Sequence, residues 1–240
     1  MGAELYTYYP SLGVYVSNRI MSKPNEEPDT LFWIREYSDD GTDDSGVIKI
    51  GRKLVSPLIT WGNVELGVPT DYRFFRDCQR LDDLIASELS GEFPHLFPSQ
   101  RVEYKPVPER GITDDTTVVY QNLVRDLRFL FFEYVWPKFA NNDILYEELG
   151  AFIKFATRMY GEEDIMPDIL NRSNFFVVDD GSEQIQRRHI FRFLDSNPIP
   201  TKKAHVTAEY CASVERRLDV LKEICETHVL PRHFWKTFHS

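Results

Sequence analysis

The feature that most constrains the fold is a change of hydrophobic pattern near residue 70. Before it, short β-prone runs such as Leu31–Ile34 and Val47–Ile50 alternate with turn-forming residues, which predicts strands. After it, apolar residues recur at helical spacing: Thr70 or Asp71 can cap a first helix that Gly91 would end. The sequence therefore predicts an α+β fold, with a small β-rich N-terminal part packed on a mostly helical C-terminal part.

A Pro-rich passage with Pro94, Pro98, Pro106 and Pro108 is too interrupted for regular structure and predicts a boundary. We expect a β-rich N-terminal region with aromatic loops and one helix over residues 1–92. A Pro-rich connector over 93–112 and a helical C-terminal region over 113–240 should follow it.

Four helices and one short helical piece are predicted within this last region. The helices extend from about Asp115 to Trp136, from Asn142 or Asp143 to Gly161, from Glu183 to Asp195 and from Thr207 to Val229, and the short piece surrounds Met166 to Leu170. The first is apolar around most of its circumference, which is typical of a central core helix. We therefore expect its large apolar side chains to be buried, namely Leu127, Leu130, Phe131 and Tyr134.

Composition excludes several classes of function. The net charge of −10 opposes binding to a phosphate backbone, so no nucleic-acid partner is expected. Three scattered cysteines do not make a disulfide framework and indicate a reducing compartment. No apolar run is long enough to cross a bilayer and no signal peptide is evident, which predicts a soluble intracellular chain without a membrane partner.

Aromatic residues form three groups beside charged or turn-forming residues, a setting typical of rings that anchor protein interfaces. The predicted partner-binding residues are Tyr6, Tyr8 and Tyr9, then Phe32 and Trp33, then Tyr72, Phe74 and Phe75. The alternative is burial: Phe74 and Phe75 have helical spacing that also suits a core, and Tyr6 and Tyr8 could belong to an edge strand.

No strong catalytic signature is present, and we predict no catalytic residue, no cofactor and no metal. Cys225-x2-His228 with His233 beyond is the nearest pattern to a zinc site, but it lacks a paired knuckle. Asp71 with Glu103 and Lys105 has the order of a two-metal nuclease motif. Such short triplets arise often by chance, so the nuclease remains an alternative only.

Two segments resemble the phlebovirus non-structural proteins of the S segment. The opening residues Tyr8-Tyr9-Pro10-Ser11-Leu12-Gly13-Val14-Tyr15-Val16 are similar to their aromatic-Pro-x-apolar-x-apolar start. Asn142-Asp143-Ile144-Leu145-Tyr146-Glu147-Glu148-Leu149, followed by Ile153 and Arg158, resembles their D-apolar-apolar-x-E helix. Leu66-Gly67-Val68-Pro69 is also similar to a Gly-x-Pro turn of that family.

The resemblance implies a viral virulence factor that is not an enzyme and that acts in the host cytoplasm or nucleus. Its partner would be a host protein complex, either the nucleotide exchange factor of translation initiation factor 2 or an interferon-pathway protein. Binding would antagonise innate immune or integrated stress response signalling. The alternatives are an acidic immunity-type protein that binds a basic bacterial toxin and a metal-dependent nuclease.

Overall fold

The computed structural model describes residues 5–18, 32–43, 45–52, 60–61, 64–65, 70–122, 124, 127–132, 143–179, 189–194 and 197–234. The chain divides into two compact units. Unit 1 comprises Met1–Thr60, Glu65–Arg80 and Pro98–Val124, and unit 2 comprises Trp61–Val64, Leu81–Phe97 and Arg125–Ser240. The boundaries of the three regions predicted from the sequence differ from those of the two units, because residues 98–112 belong to unit 1 and residues 81–92 belong to unit 2.

Unit 1 is built on a six-stranded antiparallel sheet in the order β1-β2-β3-β4-β8-β7. The strands are β1 (Tyr6–Tyr9), β2 (Val14–Ser17), β3 (Phe32–Ser38), β4 (Gly46–Gly51), β7 (Gln100–Val107) and β8 (Ile112–Asn122). Two short strands, β5 (Thr60–Trp61) and β6 (Val64–Glu65), form a separate two-stranded sheet.

Both faces of the six-stranded sheet are buried, and neighbouring residues therefore enter different clusters. On β3, Trp33 joins one cluster with Ile48 and Ile50, whereas Phe32 joins the other with Phe74. Val118 and Val119 on β8 divide in the same way. Since successive side chains on a strand point to opposite faces, a strand buried on both faces reads as a continuous apolar run.

Helix α1 (Tyr72–Glu88) begins where the sequence predicted. The Asp71 side chain accepts a hydrogen bond from the Arg73 backbone N–H at 2.9 Å, which confirms the predicted cap. Phe74 and Cys78 lie on the helix face that packs against Phe32 and Val119 of the sheet. The first turns of α1 thus cover one face of unit 1.

Unit 2 contains two long helices, α2 (Asp143–Glu162) and α3 (Ala208–Thr227), with short strands. Strands β9 (Leu127–Leu130), β11 (Phe175–Asp179) and β12 (His189–Phe193) form one antiparallel sheet, in the order β12-β11-β9. Strands β10 (Ile165–Pro167) and β13 (Pro198–Pro200) pair separately. The Thr207 hydroxyl caps α3 by accepting a hydrogen bond from the Tyr210 N–H, as the predicted start at Thr207 requires.

The core of unit 2 is a group of packed aromatic rings. Phe152 of α2 lies 4.7 Å from Phe193 and 5.6 Å from Phe191 between ring centroids. Phe175 and Phe97 complete the contacts around Phe152. Such ring pairs add to the free energy gained by burial alone, so the sheet and α2 are held together mainly through phenylalanines.

Two predicted helices are wrong. The segment from Asp115 to Trp136 contains β8 and β9 instead, because its Thr, Val and Tyr residues favour strands and its two buried faces erase the alternation that would have indicated them. The segment from Glu183 to Asp195 contains β12 over residues 189–193, and its residues 183–188 lie outside the described part.

The core prediction is confirmed at Phe131, which has no exposed surface. Nothing is described of the side chains of Leu127 and Leu130, and Tyr134 lies outside the described residues. The α+β fold class is as predicted: within the described residues, an antiparallel sheet lies in the N-terminal half, and α2 and α3 lie in the C-terminal half. None of the helices in the described part of the chain combines the length and hydropathy that a bilayer crossing needs.

Candidate functional site

The predicted partner-binding aromatics are mostly interior. Five of the eight side chains are buried, namely Tyr9, Phe32, Trp33, Phe74 and Phe75. Tyr6 is half-buried. Tyr8 and Tyr72 remain exposed, at 50% and 54%. The buried rings occupy both faces of the unit 1 sheet, since Tyr9 and Trp33 belong to one cluster and Phe32 and Phe74 to the other. A binding role for the exposed pair stays a prediction.

Trp33 has a charged environment despite its burial. The guanidinium carbons of Arg35 and Arg110 lie 4.5 Å and 3.9 Å from the centroid of its ring. Cation–π attraction of this kind stabilises a packed ring. The charges that the sequence places around Trp33 therefore pack against it within unit 1, and they do not by themselves indicate a binding surface.

The residues considered for metal chemistry have structural contacts. Asp71 caps α1, and Glu103 on β7 pairs with its neighbour Lys105 at 2.5 Å. The Cys225 thiol donates to the Tyr146 carbonyl at 3.3 Å, and the His228 ring stacks on Tyr146 with centroids 3.7 Å apart. Within the described residues, no three His, Cys, Asp or Glu side chains come together as a metal site would require.

A polar loop that the sequence reading had missed lies in unit 2 between β10 and β11. It begins at Asp168, directly after β10, and ends at Asn174, directly before β11. The Asp168 carboxylate accepts a hydrogen bond from the Leu170 N–H at 2.9 Å. The Asn174 side-chain amide donates to the Asp168 backbone carbonyl, also at 2.9 Å. The loop therefore closes on itself and holds Asp168 and Asn174 as a pair.

The same loop is fastened to the segment that follows β12. The Asp168 N–H donates to the Asn197 carbonyl at 3.1 Å, and the Leu194 N–H donates to the Asn174 carbonyl at 2.9 Å. In sequence, Asp195 falls between these two anchoring points, although its own position is outside the described residues. Two backbone hydrogen bonds thus tie the ends of the loop to residues 194 and 197.

The donor atoms of this loop suit a hard cation. Asp168 is half-buried and Asn174 is 4% exposed. The Asn174 amide nitrogen is committed to the loop, so its amide oxygen is the atom that could coordinate a metal ion. Carboxylate and amide oxygens are ligands that Mg²⁺ and Ca²⁺ prefer over nitrogen or sulfur.

Unit 1 contains a buried lysine. Lys49 lies on β4 and is buried, at 7% exposure, although Ile48 and Ile50 beside it are the apolar residues expected there. It is directly opposite Val119 of β8 in the strand register. Since Val119 belongs to the cluster that α1 covers, Lys49 lies on the same face of the sheet. A buried lysine costs free energy and often has a role in binding.

A sequence signal for the loop existed. Asp168 and Asn174 are polar residues that border short apolar runs, Ile165-Met166 before the loop and Phe175-Phe176-Val177-Val178 after it. The short helix predicted around Met166 to Leu170 covered the first of these runs, which belongs to β10 instead.

Comparisons with known proteins give a likeness in structure and none in sequence. No family model matches the sequence, and no curated protein matches it. Among solved structures, the chain is similar to the Rio2 kinase of Chaetomium thermophilum in its ADP/Mg²⁺-phosphoaspartate complex, with 14% sequence identity and a TM-score of 0.45. The match covers 94% of this chain and 56% of that chain. The chain therefore spans about half the length of the kinase.

The match to a kinase structure contradicts the prediction of a non-enzymatic viral virulence factor. We withdraw that function, the absence of enzymatic activity, and the associated roles in interferon antagonism, stress-response signalling and translation-factor binding. The phlebovirus resemblance itself, the host partner and the host compartment stay predictions. At this identity and TM-score the likeness does not assign a function.

Proposed function

We propose that this chain is a kinase-like phosphotransferase that binds a nucleoside triphosphate together with Mg²⁺. The observation that carries the proposal is the Asp168–Asn174 loop, whose ends are hydrogen-bonded to residues 194 and 197 on either side of Asp195. Phosphoryl transfer needs little covalent chemistry from the protein. It depends on positioning and on charges placed around the phosphates, and oxygen ligands on a fixed loop provide both.

Each residue of the set has a role that its chemistry allows. Asp168 would accept the proton of the attacking hydroxyl, as the catalytic-loop Asp does in protein kinases. The Asn174 amide oxygen would be a ligand of Mg²⁺, which when bound neutralises charge on the β- and γ-phosphates. Along the chain, Lys49, Asp168 and Asn174 follow one another in the order of the strand lysine and the catalytic-loop Asp and Asn in the protein-kinase signatures.

The chain departs from the signatures at several points. Met166 and Pro167 stand where His and Arg precede the catalytic Asp, and five residues rather than four separate Asp168 from Asn174. Ser196 and Asn197 follow Asp195 where Phe and Gly are usual, and the sequence contains no G-x-G-x-x-G loop. In α1 the only Glu is Glu88, in its last turn, where Arg158 pairs with it.

Because of these departures, binding is the first property to test. Isothermal titration calorimetry with MgATP should detect saturable binding to the whole chain. Asn174→Ala should weaken that binding at least tenfold, a loss of about 1.4 kcal/mol. The matched control is Asn122→Ala, at the exposed end of β8. The control should not change the affinity by more than about twofold.

Two results would refute the proposal. One is a chain that is folded by circular dichroism and binds no nucleotide at millimolar MgATP. The other is binding that survives Asn174→Ala unchanged, because the nucleotide would then occupy a different place. If binding behaves as proposed, transfer of ³²P from labelled ATP to a substrate or to the chain itself is the second measurement, and Asp168→Asn should abolish it.

A further inference from the structure

The buried Arg217 of α3 contacts the loop on which the proposed function rests. Its side chain is 2% exposed, although arginine is among the residues that are least often fully buried. The Arg217 guanidinium donates a hydrogen bond to the Leu170 carbonyl. Taking an arginine out of water is costly, so a buried arginine needs specific contacts that compensate for the water it loses.

Arg217 is linked to the Asp168 carboxylate through the backbone of Leu170. Leu170 uses both of its backbone polar groups here, because its carbonyl accepts from Arg217 and its N–H donates to the Asp168 carboxylate at 2.9 Å. A side chain of α3 thus fixes the turn that orients the Asp168 carboxylate. Rotation of that turn would break both hydrogen bonds together, so the loop has one favoured arrangement as long as the guanidinium is present.

The charges around Arg217 are consistent with this arrangement. Burial lowers the pKa of Arg217 to about 10, while the neighbouring Asp168 carboxylate opposes the shift and Arg216 adds to it. Even at this value the guanidinium is protonated at neutral pH. It therefore places a buried positive charge near Asp168, where low local polarity strengthens its effect.

We infer that Arg217 is a positioning residue, which holds the Asp168 carboxylate and the Asp168–Asn174 loop in the arrangement that binds the metal–nucleotide complex. The inference rests on the proposed function but names a residue that no kinase signature contains. The competing explanation is that Arg217 only satisfies a buried carbonyl and contributes to stability alone.

The experiment compares the whole chain with Arg217→Met and Arg217→Lys. For each, the affinity for ATP is measured by calorimetry with Mg²⁺ and again in excess EDTA. Methionine keeps the length and apolar stem of arginine but removes the charge, and such replacements of buried charges often fold well. We expect Arg217→Met to lose at least tenfold in MgATP affinity and less than threefold in metal-free ATP affinity. Arg217→Lys should recover part of the Mg²⁺-dependent difference, because it restores the charge without the planar fork.

Hydrogen exchange on the same samples, followed by mass spectrometry, reports on the loop itself. In Arg217→Met, exchange should accelerate in peptides covering residues 168–174 and stay unchanged in peptides of β3 and β4. If Arg217→Met is folded and keeps the full Mg²⁺-dependent affinity, Arg217 is a stability residue only and the inference fails while the proposed function stands. If the unsubstituted chain binds no MgATP, the proposed function and the inference fail together.

Discussion

The buried carboxylate of Glu148 allows a sharp prediction about the stability of unit 2. Glu148 lies on α2 at 3% exposure, and its two oxygens have different partners. One oxygen is 2.6 Å from Nε2 of His95, whose side chain is 29% exposed, and the other accepts the Phe191 N–H at 2.6 Å. The Glu148 carboxylate therefore links α2 to β12 and to the segment around His95, in addition to the ring contacts of Phe152 with β12.

The cost of removing this carboxylate follows from its partners. In Glu148→Leu the buried Phe191 N–H loses its acceptor, which costs about 1–3 kcal/mol, while His95 can regain water and loses about 1 kcal/mol or less. Burial lowers the pKa of Arg192, and Glu148 opposes that shift, so the substitution also removes a compensating charge. The leucine side chain avoids the desolvation of a carboxylate, which offsets part of the loss. We expect a net loss of about 2–3 kcal/mol in the free energy of unfolding.

The assay is chemical and thermal unfolding followed by circular dichroism. A loss of this size should lower Tm by about 4–12 °C in a chain of this length. Glu148→Gln should cost about 1 kcal/mol or less, since an amide oxygen can still accept the Phe191 N–H. The control is Glu147→Leu, the exposed neighbour on the same helix, which should change stability by at most about 0.5 kcal/mol. Equal stability of the Glu147 and Glu148 leucine variants would refute the reasoning.

Four further predictions concern a core ring, a glycine next to a backbone carbonyl, a helix cap and the pKa of a loop carboxylate. Phe131→Ala should cost roughly 3–5 kcal/mol in urea unfolding, since the ring is fully buried against Phe132 and Phe191; a change below about 1 kcal/mol would contradict its core position. Gly46→Ala should destabilise unit 1, because an added Cβ would lie 2.3 Å from the Gln121 carbonyl oxygen, whereas Gly91→Ala, with open space around it, should not lower Tm comparably. Thr207→Ala should cost about 1 kcal/mol through loss of the α3 cap, and Thr207→Ser should retain most of it. Hydrogen bonds from the Thr42 side chain and backbone and from Ser38 lower the pKa of Asp40 to about 2, so the loop should lose this stabilisation as pH falls from about 4 through 2; Thr42→Val should raise that pKa in an NMR titration, and an unchanged value would contradict the assignment of its cause.

Parts of the fold could be read from the sequence because their signals are local. Asp71 and Thr207 cap the N-termini of α1 and α3, and each side chain accepts the hydrogen bond that its residue type predicts. Segment 115–136 was misread because β8 is buried on both faces, so Val118 and Val119 are both apolar and no alternation marks a strand. Whether such a run is a strand or a buried helix depends on its tertiary neighbours.

The candidate site was harder to predict for a different reason. Aromatic residues beside charges look like interface anchors, yet Trp33 is buried with Arg35 and Arg110 packed against its ring. The Asp168–Asn174 loop has no apolar periodicity, and its significance depends on hydrogen bonds between Asn174 and Leu194 and between Asp168 and Asn197, which are distant along the chain. Likewise, the burial of Lys49 follows from the pairing of β4 with β3 and β8, which the residues around Lys49 do not reveal.

The most direct test of the account is to locate the bound metal–nucleotide complex in solution. Paramagnetic Mn²⁺ can replace Mg²⁺ with ATP, and it broadens the amide resonances of residues near it in an NMR spectrum. We predict that the broadened amide resonances are centred on residues 168–174 and on Leu194 and Asn197. This broadening should disappear in Asn174→Ala. Broadening confined to the acidic loop at Asp39–Asp43, or none at all at saturating MnATP, would contradict the claim that this chain holds a metal–nucleotide complex on the Asp168–Asn174 loop.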